Sequence, residues 1–331
     1  MFTPRRGITS RHAQTIFSWA WPRHFPSLPE PTVRLFDVAP ETRVLAHVHW
    51  QADRSNRPLL LLLHGLNASS DAHYMRGMAA KAFARGMSVV RLNQRNCGGT
   101  EHLAPGLFHS GLTADANHVI AELADTDNIR SVAVAGYSLG GNLALKLAGE
   151  YGDTPPPSLK AVAAVSPIFE ISQCVHALER RSNFAYQWNF TKALKARMRR
   201  KDQHWPGRFD LSRLAEVHTV RDFDEVYTAP HFGFASAEDY YHRAAAMRVI
   251  DRVRVPALIV TSEDDPFVPQ EPFRDPKVTG NPAVSVLITG HGGHCGFVAA
   301  PSPESDGYWA EDQVVDFASG QPHRAVAGDP L

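Results

Sequence analysis

Five consecutive leucines, Leu59–Leu63, follow Pro58 and stop at His64-Gly65. The run is too short for a helix and apolar at every position, the pattern of a strand buried on both faces. From Asp71 to Arg85 the spacing turns helical, with Gly86 placed as a C-terminal cap. Met87–Leu92 is a second apolar strand, followed by the glycine-containing loop Asn96-Cys97-Gly98-Gly99. The alternation continues with a helix over Thr113–Leu123, a strand over Ser131–Ala135, a helix over Leu139–Glu150 and a strand over Ala161–Val165. Buried strands alternating with helices predict right-handed crossovers and a mostly parallel twisted sheet flanked by helices, an α/β fold.

The rhythm stops at Pro167. Residues 168–245 offer no comparable strand but many aromatics, among them Phe169, Phe184, Tyr186, Trp188 and Phe190. It resumes at Pro256–Val260 and Val284–Ile288, and a last helix is expected over about Glu304–Ala318. The pattern therefore predicts a core from residues 1–167 and 246–331, with 168–245 inserted as a mainly helical cap or lid. Phe184, Tyr186, Trp188 and Phe190 alternate with period two and are expected to pack this lid onto the core, with some lining an acyl pocket. Lys192, Lys195, Arg197, Arg199, Arg200 and Lys201 crowd the same segment; a solvated helix face is the simplest expectation, a rim for anionic substrate or lipid the sharper one.

Composition narrows the partners. The 331 residues carry 34 basic and 34 acidic side chains, so no global charge draws the chain to nucleic acid or an anionic membrane. Hydrophobic residues make up 44%, enough for a core and too many for a disordered chain. Cys97, Cys174 and Cys295 are too few and too dispersed for a disulfide framework, which suits a reducing compartment. The early Met1–Arg6 stretch leads into no apolar signal region, and Leu59–Leu63 falls far short of a membrane span. A cytoplasmic protein without an integral membrane segment is expected, with transient contact at a lipid surface left open.

Chemistry enters at Gly136-Tyr137-Ser138-Leu139-Gly140, a G-x-S-x-G motif between a predicted strand and a predicted helix. Composition alone would give about 0.1 such matches in a chain this long. A turn this tight strains the backbone at the serine, and glycines remove the Cβ atoms that would clash. The hydroxyl then stands above the sheet at a helix N-terminus, which favours a developing anion. A nucleophilic serine needs a base, and the base an orienting acid. Asp264 and Asp265 follow the strand ending at Val260-Thr261, and Pro266 favours an extended conformation at Asp265. His291 and His294 lie in Gly290-His291-Gly292-Gly293-His294-Cys295-Gly296, and spacing alone does not choose between them. A metal held by His291, His294 and Cys295 is the lesser alternative, with three nearby donors and no second cluster. Backbone N–H groups of Leu66 and Leu139 are the expected oxyanion donors, with His64 a strand-end residue bonded to the loop rather than a catalytic one.

These motifs resemble the α/β-hydrolase superfamily and, within it, the YheT-like branch (AB hydrolase family 4). The resemblance covers nearly the whole chain and rests on Arg11-His12-Ala13-Gln14-Thr15-Ile16, His64-Gly65-Leu66 and Arg95-Asn96-Cys97-Gly98-Gly99-Thr100. Gly136–Asn142, Asp264-Asp265-Pro266-Phe267 and Gly292-Gly293-His294-Cys295-Gly296-Phe297 complete it. It implies Asp265 as the acid and His294 as the base, and an α/β-hydrolase fold with an inserted helical lid.

The expected activity is cleavage of carboxylic esters by a Ser138–Asp265–His294 triad through an acyl-enzyme, on short- to medium-chain or lipid-like acyl esters, without metal or organic cofactor. An alcohol O-acyltransferase would use the same acyl-enzyme, and a non-catalytic binding protein on a hydrolase scaffold is the alternative from another class. A dehalogenase is disfavoured because Ser138 stands where it would need an aspartate. No nucleic-acid partner is expected.

Overall fold

The computed structural model describes residues 2–320. A first helix, α1 (Arg11–Ala20), is capped by the Ser10 hydroxyl and precedes a hairpin of β1 (Thr32–Ala39) and β2 (Thr42–His49). Then come β3 (Leu59–Leu63), α2 (His73–Ala84), β4 (Ser88–Leu92), α3 (Ala114–Asp127), β5 (Val132–Tyr137), α4 (Leu139–Tyr151) and β6 (Leu159–Val165). Between β6 and the next strand the chain forms α5 (Ile171–Leu178), α6 (Phe184–His204), the short α7 (Val220–Phe223), a π-helical turn (Asp224–Thr228), α8 (Ala229–Phe232) and α9 (Ala237–Ala244). It closes with β7 (Ala257–Ser262), α10 (Pro276–Thr279), β8 (Val284–Thr289) and α11 (Trp309–Ala318).

The eight strands form one sheet in the order β1-β2-β4-β3-β5-β6-β7-β8. Pairing is antiparallel through β1, β2 and β4 and parallel from β4 to β8. All five leucines of β3 are buried because alternate side chains enter two cores, one on each face. Leu59, Leu61 and Leu63 meet α3 and α4; Leu60 and Leu62 meet α2 and α11. Each such side chain contributes about 1.5–3 kcal/mol of burial free energy.

Several expectations change. The β1–β2 hairpin was not anticipated, because β1 is an edge strand whose Val33 and Leu35 face solvent, blurring the alternation that marks a strand. Its turn, Pro40-Glu41, places a glutamate at φ 53° rather than the usual Asn or Gly. The last helix starts at Trp309, not near Glu304: residues 298–308 double back through bridges between Val298 and Tyr308 and between Ser302 and Ser305, so the chain reverses at Pro303-Glu304. The period-two aromatics sit on a helix, so they divide between two faces. Tyr186 and Phe190 turn inward, while Phe184 and Trp188 are 71% and 54% exposed and do not pack onto the core. The basic run divides in the same way: Lys192, Arg199 and Arg200 are exposed, as a solvated face requires, while Arg197 and Lys201 are buried.

Candidate active site

Ser138 follows β5 and precedes α4 with φ 52° and ψ −113°, a conformation costing about 1–3 kcal/mol for a non-glycine residue. The neighbouring glycines make it attainable. A Cβ on Gly136 would fall on the Gly140 carbonyl, and one on Gly140 would fall on the Leu63 carbonyl of β3. The amides of Leu66 and Leu139 flank the serine, and among the described residues neither N–H has a hydrogen-bond partner.

Four strand ends converge here. Register pairs Leu63 with Gly136 and Val260 with Leu287, so the loops after β3, β5, β7 and β8 leave the same edge of the sheet. The imidazole Nε2 of His294 lies 3.0 Å from Ser138 Oγ, and its Nδ1 lies 2.8 Å from Asp265 Oδ2. The other carboxylate oxygen of Asp265 accepts the amide N–H groups of Phe267 and Val268, at 2.9 and 3.0 Å. Phe267 packs edge-on against the imidazole, with ring centroids 4.7 Å apart. Burial opposes charge on His294, but the Asp265 carboxylate outweighs it and holds the pKa well above the ordinary histidine value.

The open alternatives form a separate pair. Asp264 accepts from the Gly293 amide at 2.9 Å and faces His291 at 3.4 Å, away from the serine. His291, His294 and Cys295 do not converge as metal ligands, and no group of three such donors occurs among the described residues. His64 is wholly buried; its Nδ1 meets the Gly65 carbonyl at 2.8 Å and its Nε2 accepts from the Gln94 amide at 3.1 Å. Burial drops its pKa to about 4, so it stays neutral and pins the loop that carries Leu66.

The structure adds residues whose individual roles the sequence left unassigned. Gln14 of α1 is fully buried and clamps Val298 from both sides, accepting its N–H at 2.6 Å and donating to its carbonyl at 3.0 Å. Thr15 Oγ1 accepts the backbone N–H of His294 at 2.9 Å. Gly293 and Gly296 lie against the backbone of Arg11 and Gln14, too close for any Cβ. The only signal in the sequence was the Arg11–Ile16 motif itself, which does not say what Gln14 and Thr15 touch.

Ser138 and His294 border a cavity walled by apolar side chains such as Leu107, Val175, Leu194, Met198 and Phe223. Most of that wall comes from the helices between β6 and β7. Among the described residues no helix is long and apolar enough to cross a membrane.

A family model described as the alpha/beta hydrolase fold matches residues 58–301. The chain is also 32% identical over 319 residues to "Putative esterase YheT" of Escherichia coli (strain K12), covering 96% of this chain and 92% of that one. It belongs to the α/β-hydrolase family, in its YheT-like branch. It is 29% identical to "Phospholipase ABHD3" of Bos taurus over 77% of its own length, and there it spans only 62% of the relative. Among solved structures, the Pyrococcus furiosus esterase Pf2001 superposes with a TM-score of 0.59 at 14% identity, covering 88% of this α/β-hydrolase and 93% of that chain, which speaks to the fold alone.

Proposed function

We propose that this α/β-hydrolase is a serine hydrolase that cleaves carboxylic esters through an acyl-enzyme. The observation that carries this reading is the linear relay from Ser138 Oγ to His294 Nε2, and from His294 Nδ1 to Asp265 Oδ2, at 3.0 and 2.8 Å. Ser138 attacks the acyl carbon while His294 takes its proton, and Asp265 holds the ring and stabilises its charged form. The unengaged Leu66 and Leu139 amides receive the oxyanion of the tetrahedral intermediate. His294 returns the proton to the departing alcohol; it then takes a proton from the water that attacks the acyl carbon and passes it to Ser138 Oγ as the acyl–Oγ bond breaks, releasing the acid and restoring Ser138. Relatives named as an esterase and a phospholipase favour esters as the substrate class. The helices of residues 168–245 act as a lid whose apolar wall receives the acyl chain.

The test is hydrolysis of p-nitrophenyl esters from acetate to palmitate by the wild type and by Ser138→Ala, alongside fluorophosphonate labelling. Activity should fall about four to six orders of magnitude in the variant, and the chain-length optimum sizes the cavity. A folded wild type that neither hydrolyses nor labels would leave a binding protein on a hydrolase scaffold.

A further inference from the structure

Arg197 and Lys201 stand one turn apart on α6 and both are buried, at 7% and 0% exposure. Lys201 has its partners: Nζ donates to Asn96 Oδ1 and to the Ala104 carbonyl, at 2.8 and 2.5 Å. Arg197 does not have enough. One guanidinium nitrogen donates to Asn67 Oδ1 at 2.7 Å, and the group lies 5.2 Å from the centre of the Phe108 ring. Among the described residues no carboxylate comes within ion-pair distance of it. An arginine offers five N–H donors in a planar fork, and buried charges are normally paired.

The place of this cation matters. Arg197 borders the same cavity as Ser138 and His294. Its anchor, Asn67, follows the oxyanion donor Leu66, has φ 58°, and is itself fixed by donating to the Phe190 carbonyl at 3.0 Å. The guanidinium is therefore held stiffly beside the oxyanion loop, on a wall that is otherwise mostly apolar. Asp224 is the one carboxyl on that wall among the described residues, and it is taken up by the hydroxyls of Tyr241 and Thr228, at 2.8 and 2.7 Å. A guanidinium fork in this setting matches a two-oxygen anion, held by parallel hydrogen bonds.

We propose that Arg197 is a specificity-determining residue that binds an anionic group, a carboxylate or a phosphate, carried by the ester substrate within the cavity. This rests on the hydrolase reading above and narrows it to esters with a negative charge near the scissile bond. The neutral cavity wall binds the rest of the molecule, and the charge fixes its register against Ser138.

Two measurements test it. In Ser138→Ala, which turns nothing over, calorimetry compares monomethyl glutarate and monobutyl phosphate with the uncharged dimethyl glutarate. At least one anion should bind tenfold or more tighter than the neutral diester, and whichever does so identifies carboxylate or phosphate. Adding Arg197→Gln should abolish that preference, and Arg197→Lys should restore part of it. In the active enzyme, the ratio of kcat/KM for p-nitrophenyl hemiglutarate to that for p-nitrophenyl pentanoate should fall at least tenfold in Arg197→Gln. Because both readouts are ratios, a partly misfolded variant lowers both members equally. Equal binding of anions and diester to the Ser138→Ala protein, or a preference that survives Arg197→Gln, overturns the proposal. An anion preference in a wild type that cleaves no ester removes the hydrolase reading while the anion site stands; ester cleavage with no preference does the reverse.

Discussion

Two aspartate–histidine pairs lie side by side beyond β7 and β8, and only the inner one reaches Ser138. Asp265→Asn should lower kcat by about four orders of magnitude by spoiling the orientation and tautomer of His294. Asp264→Asn, acting on the outer pair, should leave kcat within about tenfold, since one hydrogen bond to Gly293 is weakened. Steady-state kinetics on one p-nitrophenyl ester separates the two. The pH profile follows from the same geometry. In the proposed mechanism His294 must be neutral to accept the serine proton, and its pKa is raised above 6.5 by Asp265 against the pull of burial. Activity is thus present at high pH and lost as pH falls through that raised value, so the acid limb of kcat/KM should lie on the alkaline side of 6.5. In Asp265→Asn the raising charge is gone and burial remains, so any residual activity should show its limb at lower pH. Residues alone left Asp264 against Asp265 with one local hint, Pro266, and left His291 against His294 with none. The Gly292-Gly293 turn separates the two histidines and sends His294 alone to the serine, and Gly293 lies against α1.

The helix that does this fixing was quoted in the sequence only as a motif. Gln14 and Thr15 reach the loop of His294 through hydrogen bonds that span most of the chain, which no local periodicity reveals. Gly293→Ala is the sharpest probe: the residue sits at φ 57° and its Cβ would strike the Arg11 carbonyl. Stability should fall by about 1–3 kcal/mol from the backbone conformation alone, read by urea unfolding, and kcat should drop with it as His294 shifts. Elsewhere at this scale, legibility followed burial on both faces. The strands β3, β4, β5 and β7, buried at every position, and β6, buried at all but Lys160, stand out as apolar runs. The hairpin β1–β2 does not, since one of its faces is partly wet and its turn lacks glycine. On α6 a period-two row of aromatics suggested one packed face, but helix geometry sends Phe184 and Trp188 outward. The basic stretch misled for a related reason: charge content does not say which side of a helix finds partners.

Across the molecule, the parallel part of the sheet brings the loops after β3, β5, β7 and β8 to one edge, and alternation of strands and helices was sufficient to predict that. The bracing on the other side was not predicted. Arg23, ahead of the sheet, pairs with Glu311 of α11 through two nitrogens, at 2.5 and 2.8 Å, with side chains only 6% and 3% exposed. Asp306, Lys81 and the Tyr308 ring complete the cluster. Glu311→Ala would leave a buried guanidinium with one remaining acid and should cost about 3 kcal/mol, measured as a shift of the urea midpoint at unchanged slope. This cluster and the Gln14–Val298 clamp are two seams joining the early chain to the late chain.

The second seam bears on when the molecule becomes reactive. His294 receives its backbone support from Thr15, 279 residues earlier. A ribosome therefore releases nearly the whole polypeptide before His294 can be seated, and on the proposed triad a prematurely ended chain would carry Ser138 without its proton acceptor. On the proposed triad, Ser138 gains its base only when the first helix and the last loop of the fold have met.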